Sequence, residues 1–242
     1  MQQYNPSRVV VRRIMRSLKR AITSFELPVV EKIAEKQSED PFQILIATLL
    51  SARTKDATTQ EASKRLFRVA RTPASVAKLT VRKIESLIYP VSFYHHKARH
   101  VKACCQLLVS HFNSKVPQTM EELTTLPGVG RKTANLVLIL GFGSRENICV
   151  DTHVHRISNR LGWVITAQPE ETEEALYKAI DQQWWPFINL YFVTWGQNIC
   201  RPVGPRCSEC LIAPDCQRIG IRRRKQDEKT RRRERNLSGS VG

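Results

Sequence analysis

The segment LPGVGRKTAN, Leu126–Asn135, decides the fold. A helical pattern stops at Leu126, Pro127 to Gly130 make a tight turn, and the apolar run Leu136–Leu140 belongs to a second helix. Glycines in such a turn let the backbone come close to a ligand, and the free amides at the start of the second helix point outward as an anion site. Gly128, Val129 and Gly130, with Arg131 beside them, are therefore candidate contacts to a phosphate, which backbone amides hold without regard to base sequence. Lys132 lies in the first helical turn, where the dipole disfavours another positive charge. A Schiff-base nucleophile must be a neutral amine. This position, the neighbouring Arg131 and partial burial mark Lys132 as a candidate for that chemistry rather than a solvated surface lysine.

The rest of the chain is helical in pattern. Val11, Ile14, Met15, Leu18, Ala21 and Ile22 share one helical face, and no run of alternating strand residues interrupts such patterns elsewhere. An all-α fold is expected. Helix starts are predicted near Ser7, Pro28, Pro41, Asp56, Thr72, Tyr94, Thr119, Arg131, Asp151, Pro169 and Trp185. Thr119 with Glu122 reads as a capping box, and Gly162 ends the helix that Asp151 opens. Trp184, Trp185, Tyr191, Phe192 and Trp195 read as core. Beyond Cys216 the periodicity gives way to charge and then to Ser/Gly, the composition of a mobile basic tail over residues 218–242.

The length of 242 residues suffices for one sizeable domain or two small ones. Its 39 Lys+Arg against 22 Asp+Glu give a net charge of +17, which steers a protein to polyanions and makes nucleic acid the expected partner. Arg218 to Arg235 hold ten basic and three acidic residues, so most of the excess belongs to the body of the protein. No apolar run approaches the roughly 18 to 20 residues of a membrane span, and no signal-peptide core is present. A membrane partner is not expected, and an intracellular location is. The first 25 residues carry no acid, as a mitochondrial address would, but their apolar face suits a folded amphipathic helix better.

Two further stretches carry chemistry. In ENICVDTHVHRISNRLG the apolar residues Ile148–Val150 turn inward and Asp151 stands at a helix N-cap, where a carboxylate caps the helix and can also face a cation across a cleft. His153 and His155 are two apart, so they cannot share a helix face for a metal and read as packing or phosphate contacts. The spacing Cys200-x6-Cys207-x2-Cys210-x5-Cys216 supplies four thiolates from one loop. Zinc usually takes two close pairs, and only one pair here is close, so an iron–sulfur cluster is favoured over zinc. Arg201 and Arg206 within that loop are placed to touch phosphate. Cys104, Cys105 and Cys149 lie in apolar contexts and read as buried hydrophobes.

The hairpin LPGVGRKTAN, the motif VDTHV with NR following, and the four-cysteine ending resemble, in order and spacing, the endonuclease III family of helix-hairpin-helix DNA glycosylases. The resemblance spans roughly residues 28–216. It implies a two-lobed fold: a six-helix barrel over residues 34–144, and a lobe joining residues 1–33 to residues 145–217 that carries a [4Fe-4S] cluster. It implies a monomer acting on double-stranded DNA with a damaged base or an abasic site. The damaged base is flipped from the stack and Lys132 attacks C1′, with Asp151 as catalytic carboxylate. β-Elimination then cuts the strand, and oxidised pyrimidines are the implied substrates. Eukaryotic members begin with a longer extension, so a prokaryotic source and a nucleoid location are expected, against a nuclear or mitochondrial one.

Two positions depart from the family pattern. Arg53 stands where glutamine often fills the gap left by the flipped base; arginine also stacks and donates to an orphan guanine. Ser92-Phe93-Tyr94-His95 replaces a Gly-Leu-Tyr-Asn wedge. Phe93 is large enough to intercalate, and a core aromatic is the equal alternative. An adenine glycosylase is disfavoured because Ala47 stands at its glutamate position. A mismatch thymine or uracil glycosylase, or a non-catalytic DNA-binding module, are the remaining alternatives. The tail is expected to add non-specific, salt-dependent affinity.

Overall fold

The computed structural model describes residues 6–36 and 40–221. Twelve α-helices form among them: α1 (Arg8–Ala21), α2 (Val29–Lys36), α3 (Pro41–Ser51), α4 (Asp56–Val69), α5 (Pro73–Lys78), α6 (Val81–Ile88), α7 (Tyr94–His111), α8 (Met120–Thr125), α9 (Arg131–Phe142), α10 (Thr152–Leu161), α11 (Pro169–Ala179) and α12 (Trp185–Asn198). No strand forms among the described residues, and the fold is all-α as expected. All but α6 begin at or one residue past the expected starts. No start is expected between Thr72 and Tyr94, yet Leu79 and Thr80 turn extended and end α5. The Thr80 hydroxyl then accepts from the Lys83 amide at 3.1 Å and opens α6. The capping box at Thr119 forms only in half: its hydroxyl accepts from the Glu122 amide, but the Glu122 carboxylate takes that hydroxyl rather than the Thr119 amide.

Two apolar cores result. The first gathers α2 to α9 around α3, in which every residue from Ile44 to Leu50 is buried. A helix apolar on all sides belongs at the centre of its lobe. The second joins α1 to α10, α11 and α12 and holds Trp195, Phe192 and Tyr191, with Trp184 and Trp185 packed at its edge. α2 contributes Val29, Val30, Ile33 and Ala34 to the first core, so the expected lobe boundary at residue 34 falls inside a helix that packs as one piece. Of the tail, residues 222–242 lie outside the described residues. Its first residues fold back: the Ile219 amide donates to the Arg160 carbonyl at 3.2 Å.

The seam between the cores positions the site. Cys149 points into the first core, while Ile148 and Val150 point into the second. Alternation along extended backbone produces this division. The Ile148 amide donates to Tyr177 Oη at 3.1 Å, and Asn189 Nδ2 donates to the Cys149 carbonyl at 3.1 Å. Asp151 therefore emerges from a segment held on both sides.

Candidate active site

The hairpin takes the expected form, α8, a turn and α9. Gly128 has φ +84, and a Cβ there would lie 2.9 Å from His100 Nδ1, so both backbone and space require glycine. Gly130 is different. Its φ is −100 and the space around its Cα is open, as the approach of a ligand requires. No side chain caps α9, whose first internal bond runs from the Ala134 amide to the Gly130 carbonyl at 2.9 Å. Amides of its first turn are thus left for an anion. The Val129 side chain is buried and its amide donates to the Leu126 carbonyl at 3.0 Å.

Arg131 does not point freely outward. Its Nη2 donates to Oε1 of the buried Glu173 on α11 at 2.7 Å, tying the hairpin to the second lobe. That carboxylate raises the Arg131 pKa further. Removing Arg131 would leave the buried Glu173 carboxylate without its partner, so this side chain joins the two lobes. Lys132 is exposed, and the partial burial expected for it is absent.

Asp151 is buried and fully engaged at the N-cap of α10. Oδ1 accepts from the His153 and Val154 amides at 2.8 and 2.9 Å, and Oδ2 lies 3.0 Å from His153 Nδ1. Burial alone would push this carboxyl up. The His153 hydrogen bond, the Lys132 charge, the His153 charge and the Val154 amide outweigh it and hold Asp151 below the usual carboxylate range. His153 is thus tied to Asp151 rather than simply packed. Gly196 on α12 makes room for it, since a Cβ there would lie 2.7 Å from His153 Cδ2.

The site holds a second carboxylate that no local sequence signal marks. Glu31, in the first turn of α2, is buried and pushed up to about 7, chiefly by that burial and further by the Asp56 and Asp151 charges. The Lys132 charge opposes the shift. Cys149 lies under the same groups, with its Sγ 3.5 Å from the Lys132 carbonyl oxygen, and burial keeps its thiol protonated. An exposed lysine thus stands within Coulombic reach of one carboxylate held ionised and another held near neutrality.

Arg53 and Phe93 lie elsewhere on the first lobe, in the α3–α4 and α6–α7 turns. Both are exposed, Phe93 to 60 %, so it is not a core aromatic. Cys200, Cys207, Cys210 and Cys216 line one cavity at the far end of α10, about 15 Å along that helix from Asp151. No group of three or more His, Cys, Asp or Glu among the described residues is set to hold a single metal ion. Four thiols facing one cavity are a donor set that suits a soft metal centre. Trp195 lines the same cavity, and its buried indole N–H lacks a partner of normal geometry, which leaves a donor for a sulfur acceptor beside Cys210. Arg160 donates to Cys200 Sγ at 3.3 Å and to the Arg201 carbonyl at 2.7 Å. Arg201 is exposed, and the exposed Arg206 reaches Glu209 at 3.5 Å.

The HhH-GPD superfamily of base excision DNA repair proteins matches residues 46–182, more than half of the chain and all of the segment bearing Lys132 and Asp151. Endonuclease III of Thermotoga maritima is 46% identical over 208 residues, covering 86% of this chain and 96% of that protein. The chain belongs to the endonuclease III family. Another endonuclease III relative, the chloroplastic homolog 2 of Arabidopsis thaliana, is 44% identical over 186 residues. That match takes in 74% of this chain but 48% of the plant protein, so the chain spans about half of that relative's length. Among solved structures, a trapped endonuclease III–DNA covalent intermediate matches with a TM-score of 0.76 at 31% identity, covering 88% of this chain and 97% of that one. No helix among the described residues is long and apolar enough to cross a membrane.

Proposed function

We propose that the protein is a base excision DNA glycosylase with lyase activity, removing oxidised pyrimidines from duplex DNA through a Schiff base at Lys132. The observation that carries this reading is the pairing of an exposed Lys132 with an Asp151 that the lysine's own charge helps keep ionised. A carboxylate whose pKa is held low is a weak base and a good counter-charge, so Asp151 opposes the positive sugar that develops as the base departs. The Lys132 ammonium gives up a proton, its nitrogen bonds to C1′ as the glycosidic C1′–N bond breaks, and the departing base takes up that proton. The C1′–O4′ bond then breaks as O4′ takes a proton from the lysine nitrogen, and the iminium so formed acidifies the C2′ hydrogens. Loss of one of them expels the 3′ phosphate. Uncapped amides at the start of α9 and the backbone at Gly130 support a phosphate contact that holds the hairpin on the strand.

The same reading gives Cys200, Cys207, Cys210 and Cys216 a [4Fe-4S] cluster to hold. Bound there, the cluster supplies cross-links within residues 200–216 that hold Arg201 and Arg206 at the surface. A duplex with one thymine glycol tests the activity. Incubation should yield a strand cut with an unsaturated 3′ sugar end. An intact abasic strand would mean that water is the nucleophile, and an untouched strand would remove oxidised pyrimidines as the substrate class.

A further inference from the structure

The two exposed residues Arg53 and Phe93 share an uncommon backbone. Arg53 has φ 54 and Phe93 has φ 58, the left-handed region that bulky residues avoid. Such strain persists only where surrounding structure over-determines it. Here a single buried cation does so. Lys97, one turn into α7, donates its three ammonium hydrogens to the Leu50 carbonyl at 2.7 Å, the Ala52 carbonyl at 2.6 Å and Thr54 Oγ1 at 3.0 Å. These acceptors flank Arg53. The Lys97 backbone amide meanwhile donates to the Phe93 carbonyl at 3.0 Å.

Thr54 closes the link. Its hydroxyl donates to the Ala52 carbonyl at 3.3 Å and accepts from Lys97 and from the Ser92 amide at 3.2 Å. Every hydrogen on the ammonium and every site on the hydroxyl is used. A buried ammonium is an expensive way to end a helix that water would otherwise hydrate. Neither side chain it serves contributes to the core.

We propose that Lys97 and Thr54 are positioning residues that lock the Arg53 and Phe93 turns into one two-pronged probe, so that both side chains enter the duplex together around an everted nucleotide. The inference rests on the glycosylase reading above and extends it to the eversion step.

Single-turnover excision of the same lesion from a fully paired duplex and from single-stranded DNA tests it. Lys97→Met and Thr54→Val should each slow excision from duplex by about tenfold and leave the single-stranded rate within about twofold, since no stack is opened there. Thr54→Val keeps the side chain's shape and serves if Lys97→Met folds poorly. Equal losses on both substrates, or no loss on either, would overturn the proposal. Arg53→Ala and Phe93→Ala run beside them. If these show no duplex-specific loss, the probe itself is refuted. If they do and the Lys97 and Thr54 variants do not, only the lock fails. Wild-type protein inactive on either substrate would point instead to a failure of the glycosylase reading.

Discussion

The starts of α9 and α10 meet at one seam and are treated in opposite ways. α9 begins uncapped, with Gly130 open to solvent and Lys132 exposed. α10 begins saturated: both oxygens of Asp151 are engaged, and Ile148 and Cys149 are anchored before it. An unsatisfied helix start is a binding site, whereas a satisfied one is a fixed charge. The difference separates what must meet the substrate from what must hold still.

The comparison breaks most severely at the open start. Lys132→Ala should lower turnover by about 10³-fold or more while leaving stability within about 0.5 kcal/mol, because the side chain is exposed. A variant that keeps wild-type turnover would make Lys132 a surface cation. At the closed start, Asp151→Asn preserves the cap, since asparagine serves there nearly as well. Thermal unfolding should therefore change little, while turnover drops by about 10²-fold. Unchanged turnover would reduce Asp151 to a capping residue.

Glu31 sharpens the contrast through pH. Its ordinary value is 4.5 and burial pushes it up to about 7, so its ionisation increasingly disfavours the folded state as pH rises from 4.5 through 7. Glu31→Gln should match the wild type in stability near pH 4.5 and exceed it at pH 8, by at most about 3 kcal/mol. A stability difference independent of pH would contradict the assignment. The smallest effects fall on the two glycines. Gly128→Ala should destabilise the fold by about 1–2 kcal/mol through its positive φ and the His100 ring. Gly130→Ala should leave stability nearly unchanged yet weaken binding to undamaged duplex by about fivefold, a difference read by comparing melting and titration for each variant.

What was legible in the sequence was local. Proline and threonine at helix starts, Gly128 in its turn, Asp151 at a cap and four cysteines in one loop each act within a few residues. The start of α6 has Thr80 alone to mark it, without the proline that follows Thr72. The remaining groups of the site depend on partners far along the chain. Lys97 meets the Leu50 carbonyl across 47 residues, and Arg131 meets Glu173 across 42. Lys97 nevertheless lies on the buried stripe of α7 with Val101, Cys104, Cys105 and Leu108, a charged residue on an apolar face that asks for a partner. Glu31 had no such mark. Only the packing of α2 beside the seam buries it.

Borohydride trapping is the most direct measurement: protein and a thymine-glycol duplex are mixed with the reductant, and the cross-linked peptide is identified by mass. The account predicts a stable adduct on Lys132, absent from Lys132→Ala. A cross-link on another residue, or base release with no cross-link at all, would contradict it.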